Sequence, residues 1–132
     1  MVIDSSAIIA LLPGEPETAD FVPAMAAASS RVISAPTYLE TAIVILARLG
    51  PQALEKLDRL LDDLAIEVVS FTHGQAALAI TAYRQYGKGG GHAAALNYGD
   101  CFSYALAKLR DEPLLFKGND FSRTDLRVAV GP

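Results

Sequence analysis

The chain has 132 residues, of which 52% are hydrophobic and 20% charged, and its formal net charge is −4. That length makes one ordinary domain with a real core, the composition excludes a disordered chain, and the acidic balance argues against a protein that coats nucleic acid non-specifically. The charge is uneven: residues 1–72 carry four Lys/Arg and ten Asp/Glu, and residues 73–132 carry seven and five, so a phosphate backbone is expected on the second half.

Val2-Ile3 opens a short apolar strand that runs into Asp4-Ser5-Ser6, and residues 7–12 read as a helix start stopped by Pro13-Gly14. A second helix is predicted over residues 17–28, bent or split by Pro23. Residues 31–35 form a strand, and Pro36 opens a helix that runs to Leu49. After Gly50-Pro51, residues 52–64 show the cleanest helical period in the chain, with Leu54, Leu57, Leu61 and Leu64 on one stripe. Residues 66–71 are a β-branched strand, and Thr72 caps a helix that reaches Tyr86 and is broken by Gly87-Lys88-Gly89-Gly90-Gly91. Asn97 or Gly99 introduces a helix to Arg110, residues 113–116 form a buried strand, and residues 127–130 a last one. Strands alternating with helices predict right-handed crossovers and a parallel sheet between helical layers. Neither repeat nor linker divides the chain, so residues 1–132 are read as one α/β domain.

Met1-Val2-Ile3-Asp4 shows no basic leader or cleavage pattern, and the apolar run over residues 42–47 is too short to span a bilayer. The lone Cys101 makes no internal disulfide and is expected in the core. A cytoplasmic protein without a membrane span is the expectation.

Four acids stand in telling places. Asp4 ends the first strand, at the sheet edge where ligands sit in parallel α/β folds, and is also suited to cap the following helix. Glu40 interrupts a helix that is apolar nearly all round, where a carboxylate is costly unless paired, hydrogen-bonded or bound to metal. Asp100 begins another mostly apolar helix; Asn97 and Gly99 supply the cap chemistry there, which leaves Asp100 to point elsewhere. Asp120 follows the strand around Leu115, with Asn119 as a rival and Asp125 as a weaker one. Oxygen-only ligation suits Mg²⁺, with Mn²⁺ as a substitute, because zinc recruits His or Cys, and His73 and His92 are not spaced as a ligand pair. The glycine-rich loop follows a helix, whereas a phosphate-cradling loop must follow a strand, so it reads as a connector. Arg84, Lys88, Lys108, Lys117 and Arg123 are the cations available for backbone contacts, with Tyr83, Tyr86 and Tyr98 available to stack on unpaired bases.

Val2-Ile3-Asp4-Ser5-Ser6-Ala7, Tyr38-Leu39-Glu40-Thr41, Leu96-Asn97-Tyr98-Gly99-Asp100-Cys101 and Leu114-Leu115-Phe116-Lys117-Gly118-Asn119-Asp120-Phe121 together resemble the PIN-domain ribonucleases, in particular the VapC toxins of type II toxin–antitoxin pairs. The blocks fall in family order and span essentially the whole chain. The resemblance implies a three-layer fold with a central parallel sheet, and a Mg²⁺-dependent endoribonuclease that inhibits translation and growth. It also implies a VapB-type antitoxin encoded alongside, and a homodimer or a hetero-oligomer with that antitoxin. It maps Asp4, Glu40 and Asp100 onto the metal-site acids, with Asp4 and Asp100 as the ligands. The fourth position falls on Asp120 or its neighbour Asn119, and Ser6 supports the site. The acids by themselves leave open a DNA nuclease or phosphatase on the same fold, or a binding module whose acids merely cap helices.

Overall fold

The computed structural model describes residues 1–131. Four strands, β1 (Val2–Ile3), β2 (Arg31–Ser34), β3 (Ile66–Val69) and β4 (Leu114–Leu115), pair in parallel in the order β3-β2-β1-β4. The register sets Val2 beside Val32 and Leu114, and Ile3 beside Leu115. Six helices complete the chain: α1 (Ser5–Leu11), α2 (Thr18–Ala27), α3 (Ala35–Leu49), α4 (Leu54–Asp63), α5 (His73–Tyr86) and α6 (Tyr98–Arg110).

Alternation along the strands divides the core in two. Ile3, Ile33 and Leu115 face one way and pack with Ala7 and Ile8 of α1, Phe21 and Met25 of α2, Ile45 of α3, and Leu57 and Leu61 of α4. Val2, Val32 and Leu114 face the other way and pack with Ala82 and Tyr86 of α5, with Tyr104 and Leu106 of α6, and with Phe121. The result is the three-layer α/β domain expected from the sequence. Among the described residues no helix is long and apolar enough to cross a membrane.

The leucine stripe of α4 is absorbed by this core, with Leu57 and Leu61 buried and Leu54, Leu60 and Leu64 packed against them. The outer face of α3 is different: Leu39 and Ile43 remain 59% and 55% exposed, and Leu46 and Leu49 are exposed with them.

Two local expectations change. Pro23 does not split α2, which runs unbroken over Thr18–Ala27. Both Pro23 and Ala19, whose carbonyl loses its usual helical partner, are exposed residues. The strand expected over residues 127–130 is a single parallel bridge, Val128 to Leu114. Because β4 is only two residues long, it offers Leu114 alone, through its N–H to the Arg127 carbonyl and its carbonyl to the Ala129 N–H. The glycine-rich segment is tied at its base, where Gly87 bridges Leu96 and the Lys88 N–H donates to the Leu96 carbonyl at 2.8 Å.

Ile33 is fully buried in the centre of the larger core. Ile33→Ala is expected to destabilise the fold by about 3 kcal/mol, read as a lower midpoint in urea with an unchanged slope.

Candidate active site

Asp4 leaves β1 at its C-terminal end and caps α1. Its Oδ2 accepts from the Ser6 N–H at 3.0 Å and from the Ser6 hydroxyl at 2.7 Å. Its Oδ1 accepts from the Ser103 hydroxyl of α6 at 2.6 Å. Asp4 is 4% exposed, and among the described residues no cation forms an ion pair with it. Ser6 also ties in β4, because its Oγ accepts from the Lys117 N–H at 3.0 Å. The supporting position expected of Ser6 is therefore a physical bridge between Asp4 and the strand that leads to Asp120.

Glu40 lies half-buried on α3 beside Asp4. Burial raises its affinity for a proton, the Asp4 charge raises it further, and a hydrogen bond from the Ser5 side chain opposes both. Its carboxylate comes so close to α6 that a Cβ on Gly99 would stand 2.5 Å from Oε1 and 2.9 Å from Oε2. Gly99 is the gap that lets an acid of α3 reach the first turn of α6.

Asp100 is not free of capping duty, as the sequence led us to expect. Its Oδ2 accepts from the Asn97 N–H at 2.8 Å, while Asn97 Oδ1 accepts from the Asp100 N–H at 3.0 Å, which closes a capping box at the start of α6. Burial lifts the carboxyl from an ordinary 3.8 to about 7, against the Asn97 N–H and with help from the charges of Asp4, Asp120 and Glu40. Asp120 thus lies within electrostatic reach of Asp100, although it is itself exposed in the loop after β4. Asn119 is exposed too, and its carbonyl accepts from Ser122 Oγ at 2.7 Å. Asp125 lies elsewhere, accepting from the Tyr104 hydroxyl at 2.6 Å and pairing with Lys108.

Lys117, expected as a substrate contact, has its amine paired with Glu15 and Glu17, and its backbone N–H donates to Ser6 Oγ beside Asp4. Arg110 pairs with Glu112 and Arg127 with Asp111, whereas Arg84, Lys88 and Arg123 form no ion pair among the described residues. Arg84 borders an apolar groove with Phe71, Ile80, Tyr83, Tyr98 and Phe102, and Tyr98 is 79% exposed there.

Sequence reasoning missed Ser103 and the contacts that Gly99 and Ser5 make with Glu40. A signal existed for Ser103, since a hydroxyl three residues after Asp100 shares its helix face. Gly99 and Ser5 carried none, because their roles come from α3, distant in sequence.

Asp4, Glu40 and Asp100 oppose one another electrically, and hydroxyls and backbone N–H groups are their donors. Among the described residues no three His, Cys, Asp or Glu side chains stand close enough to hold one ion together. A hard divalent cation that keeps several waters needs only one or two carboxylates, so the donor set fits such an ion. Because folded Asp100 holds its proton to about 7, the ion-free fold is expected to lose thermal stability as pH rises from about 4 towards about 7. Asp100→Asn, which keeps an acceptor for the Asn97 N–H, should flatten that slope in melting curves taken across the range.

The PIN domain family matches residues 1–126. Ribonuclease VapC30 of Mycobacterium tuberculosis is 49% identical over 132 residues, covering 100% of both chains. Ribonuclease VapC42 of the same organism is 44% identical over 129 residues, 98% of each. Among solved structures, M. tuberculosis VapC20, described as a Sarcin-Ricin loop cleaving toxin, has a TM-score of 0.73 at 19% identity and covers 99% of this chain and 98% of its own. A toxin–antitoxin complex from Klebsiella pneumoniae gives 0.69 at 17%, over 94% and 92%. Those two likenesses speak to the fold, and the sequence relatives to the family: the chain is a PIN-domain protein that belongs to the VapC ribonucleases.

Proposed function

We propose that this PIN domain is a Mg²⁺-dependent endoribonuclease acting in the cytoplasm as the toxin of a toxin–antitoxin pair, with Asp4, Glu40, Asp100 and Asp120 as its acids. The observation that carries the reading is a buried carboxylate, Asp4, gathered with Glu40 and Asp100 at the C-terminal edge of a parallel sheet, with no cation among the described residues paired to them. That charge repels RNA until a cation joins it.

Asp4 and Asp100 would hold Mg²⁺, or Mn²⁺ in its place, and a bound ion would acidify a water and relieve charge at the phosphate. Glu40, with its raised proton affinity, takes the proton of the attacking water at its carboxylate. Water adds to phosphorus as the P–O3′ bond breaks, and the departing 3′-oxygen takes a proton from solvent, which yields 5′-phosphate and 3′-hydroxyl ends. Asp120, exposed and near Asp100, completes the negative cluster at its open side. Arg84 and Lys88, which lack an acidic partner among the described residues, are the cations best suited to contact RNA. The exposed α3 stripe, Leu39, Ile43, Leu46 and Leu49, is the surface suited to a second toxin subunit or an antitoxin helix.

Asp4→Asn and Asp100→Asn are expected to lower Mg²⁺-dependent RNA cleavage at least about 100-fold in protein that melts cooperatively. Undiminished cleavage in either variant would remove the assignment, and equal turnover of DNA or small phosphate esters would redirect it. Gly99→Ala pushes a methyl group into the Glu40 carboxylate and should cost about 100-fold in kcat with little change in RNA affinity. Charge reversal at Arg84 and Lys88 should instead weaken RNA binding and flatten its salt dependence.

A further inference from the structure

Asp4 is held from two sides by hydroxyls, and the two sides differ. Ser6 is its near neighbour in the chain, and grips Oδ2 as part of the α1 cap. Ser103 comes from 99 residues away and grips Oδ1. Its own oxygen lies 3.4 Å from Thr37 Oγ1 of α3, and the Thr37 carbonyl accepts from the Thr41 hydroxyl at 2.8 Å. Ser103, Thr37 and Thr41 are all fully buried, so no solvent competes for these bonds.

The direction of the chain follows from its end. An ionised carboxylate only accepts, so the Ser103 hydroxyl must donate to Asp4. Its oxygen is then left to accept, and Thr37 is the donor within reach. The two hydroxyls therefore point their dipoles the same way, towards Asp4. The elements they join are those that carry the acids: Thr37 precedes Glu40 by three residues on α3, and Ser103 follows Asp100 by three on α6.

We propose that Ser103 is the positioning residue for Asp4 as a metal ligand, polarised by Thr37, and that this hydroxyl pair sets the mutual placement of the acids at the end of β1 and on α3 and α6. The role rests on the divalent-cation reading above. A carboxylate oxygen has two lone-pair directions, and a hydroxyl that occupies one of them fixes where the other points. Groups that orient a ligand in this way commonly change metal affinity 10- to 100-fold when removed.

The test is Mn²⁺ binding to the purified full chain, measured by calorimetry well below the melting temperature, with wild type, Asp4→Asn, Ser103→Ala and Thr37→Val compared. Wild type is expected to bind one Mn²⁺ or more in an Asp4-dependent manner. Ser103→Ala should raise the Mn²⁺ dissociation constant about 10-fold or more. The near-isosteric Thr37→Val should move it the same way by less. In cleavage assays the Ser103→Ala defect should appear as a higher Mg²⁺ requirement, largely recovered at saturating metal. A purely structural role predicts lower melting temperatures with unchanged Mn²⁺ affinity in the folded variants, and that result overturns the inference alone. Failure of wild type to bind Mn²⁺ overturns the divalent-cation reading and the inference with it.

Discussion

A carboxylate removed from water, with no cation paired to it among the described residues, is the constraint around which this domain is organised. An ionised Asp in that position is tolerated only if its oxygens find donors. Asp4 finds them in the first turn of α1, through Ser6, and in α6, through Ser103. Those same donors tie down their own elements: Ser6 holds the backbone after β4, and Ser103 meets Thr37 of α3. Satisfying one charge therefore draws β1, β4, α1, α3 and α6 to a common point at the end of the sheet, where Glu40 and Asp100 arrive with charges that cannot be satisfied in the same way.

The unresolved repulsion separates this cluster from ordinary helix capping. A cap gains stability from its charge, whereas here Asp100 caps α6 and is nevertheless pushed to about 7 by burial and by the other acids. Such tension persists in a fold when something outside the chain relieves it. The 49% identity to VapC30 across 100% of both chains places the arrangement in a family of ribonucleases, and a divalent cation is the relief that its oxygen donors suit.

Much of this was legible in the sequence, and the reasons can be traced residue by residue. Asp4 was readable because a polar residue ends an apolar strand before a helix. Glu40 was readable because it interrupts an apolar helix, and the layers because strand and helix patterns alternate. The parts that stayed hidden depend on distance in the chain. Nothing around Gly99 announces that Glu40 will press against it, since the pressure comes from another helix. The ion pairs of Lys117 were hidden because its partners, Glu15 and Glu17, precede it by about a hundred residues. Asp100 was misjudged for the opposite reason: Asn97 and Asp100 cap each other, so finding one capping residue did not release the other. The final strand was overread because an apolar run shows what can pair but not how much edge β4 offers it.

The two-residue strand β1 has a consequence for how this protein tolerates change in length. Its side chains alternate between the layers, Ile3 towards α1–α4 and Val2 towards α5 and α6, and Ser103 reaches Asp4 from α6. Parity thus selects the layer that supplies the donor. Losing Ile3, the single residue between Val2 and Asp4, would invert that parity and, with Val2 held in its layer, turn the carboxylate away from α6. Substitutions in β1 grade smoothly with size and polarity; a change of one in length acts as a phase error, and the acid cluster would be its first casualty.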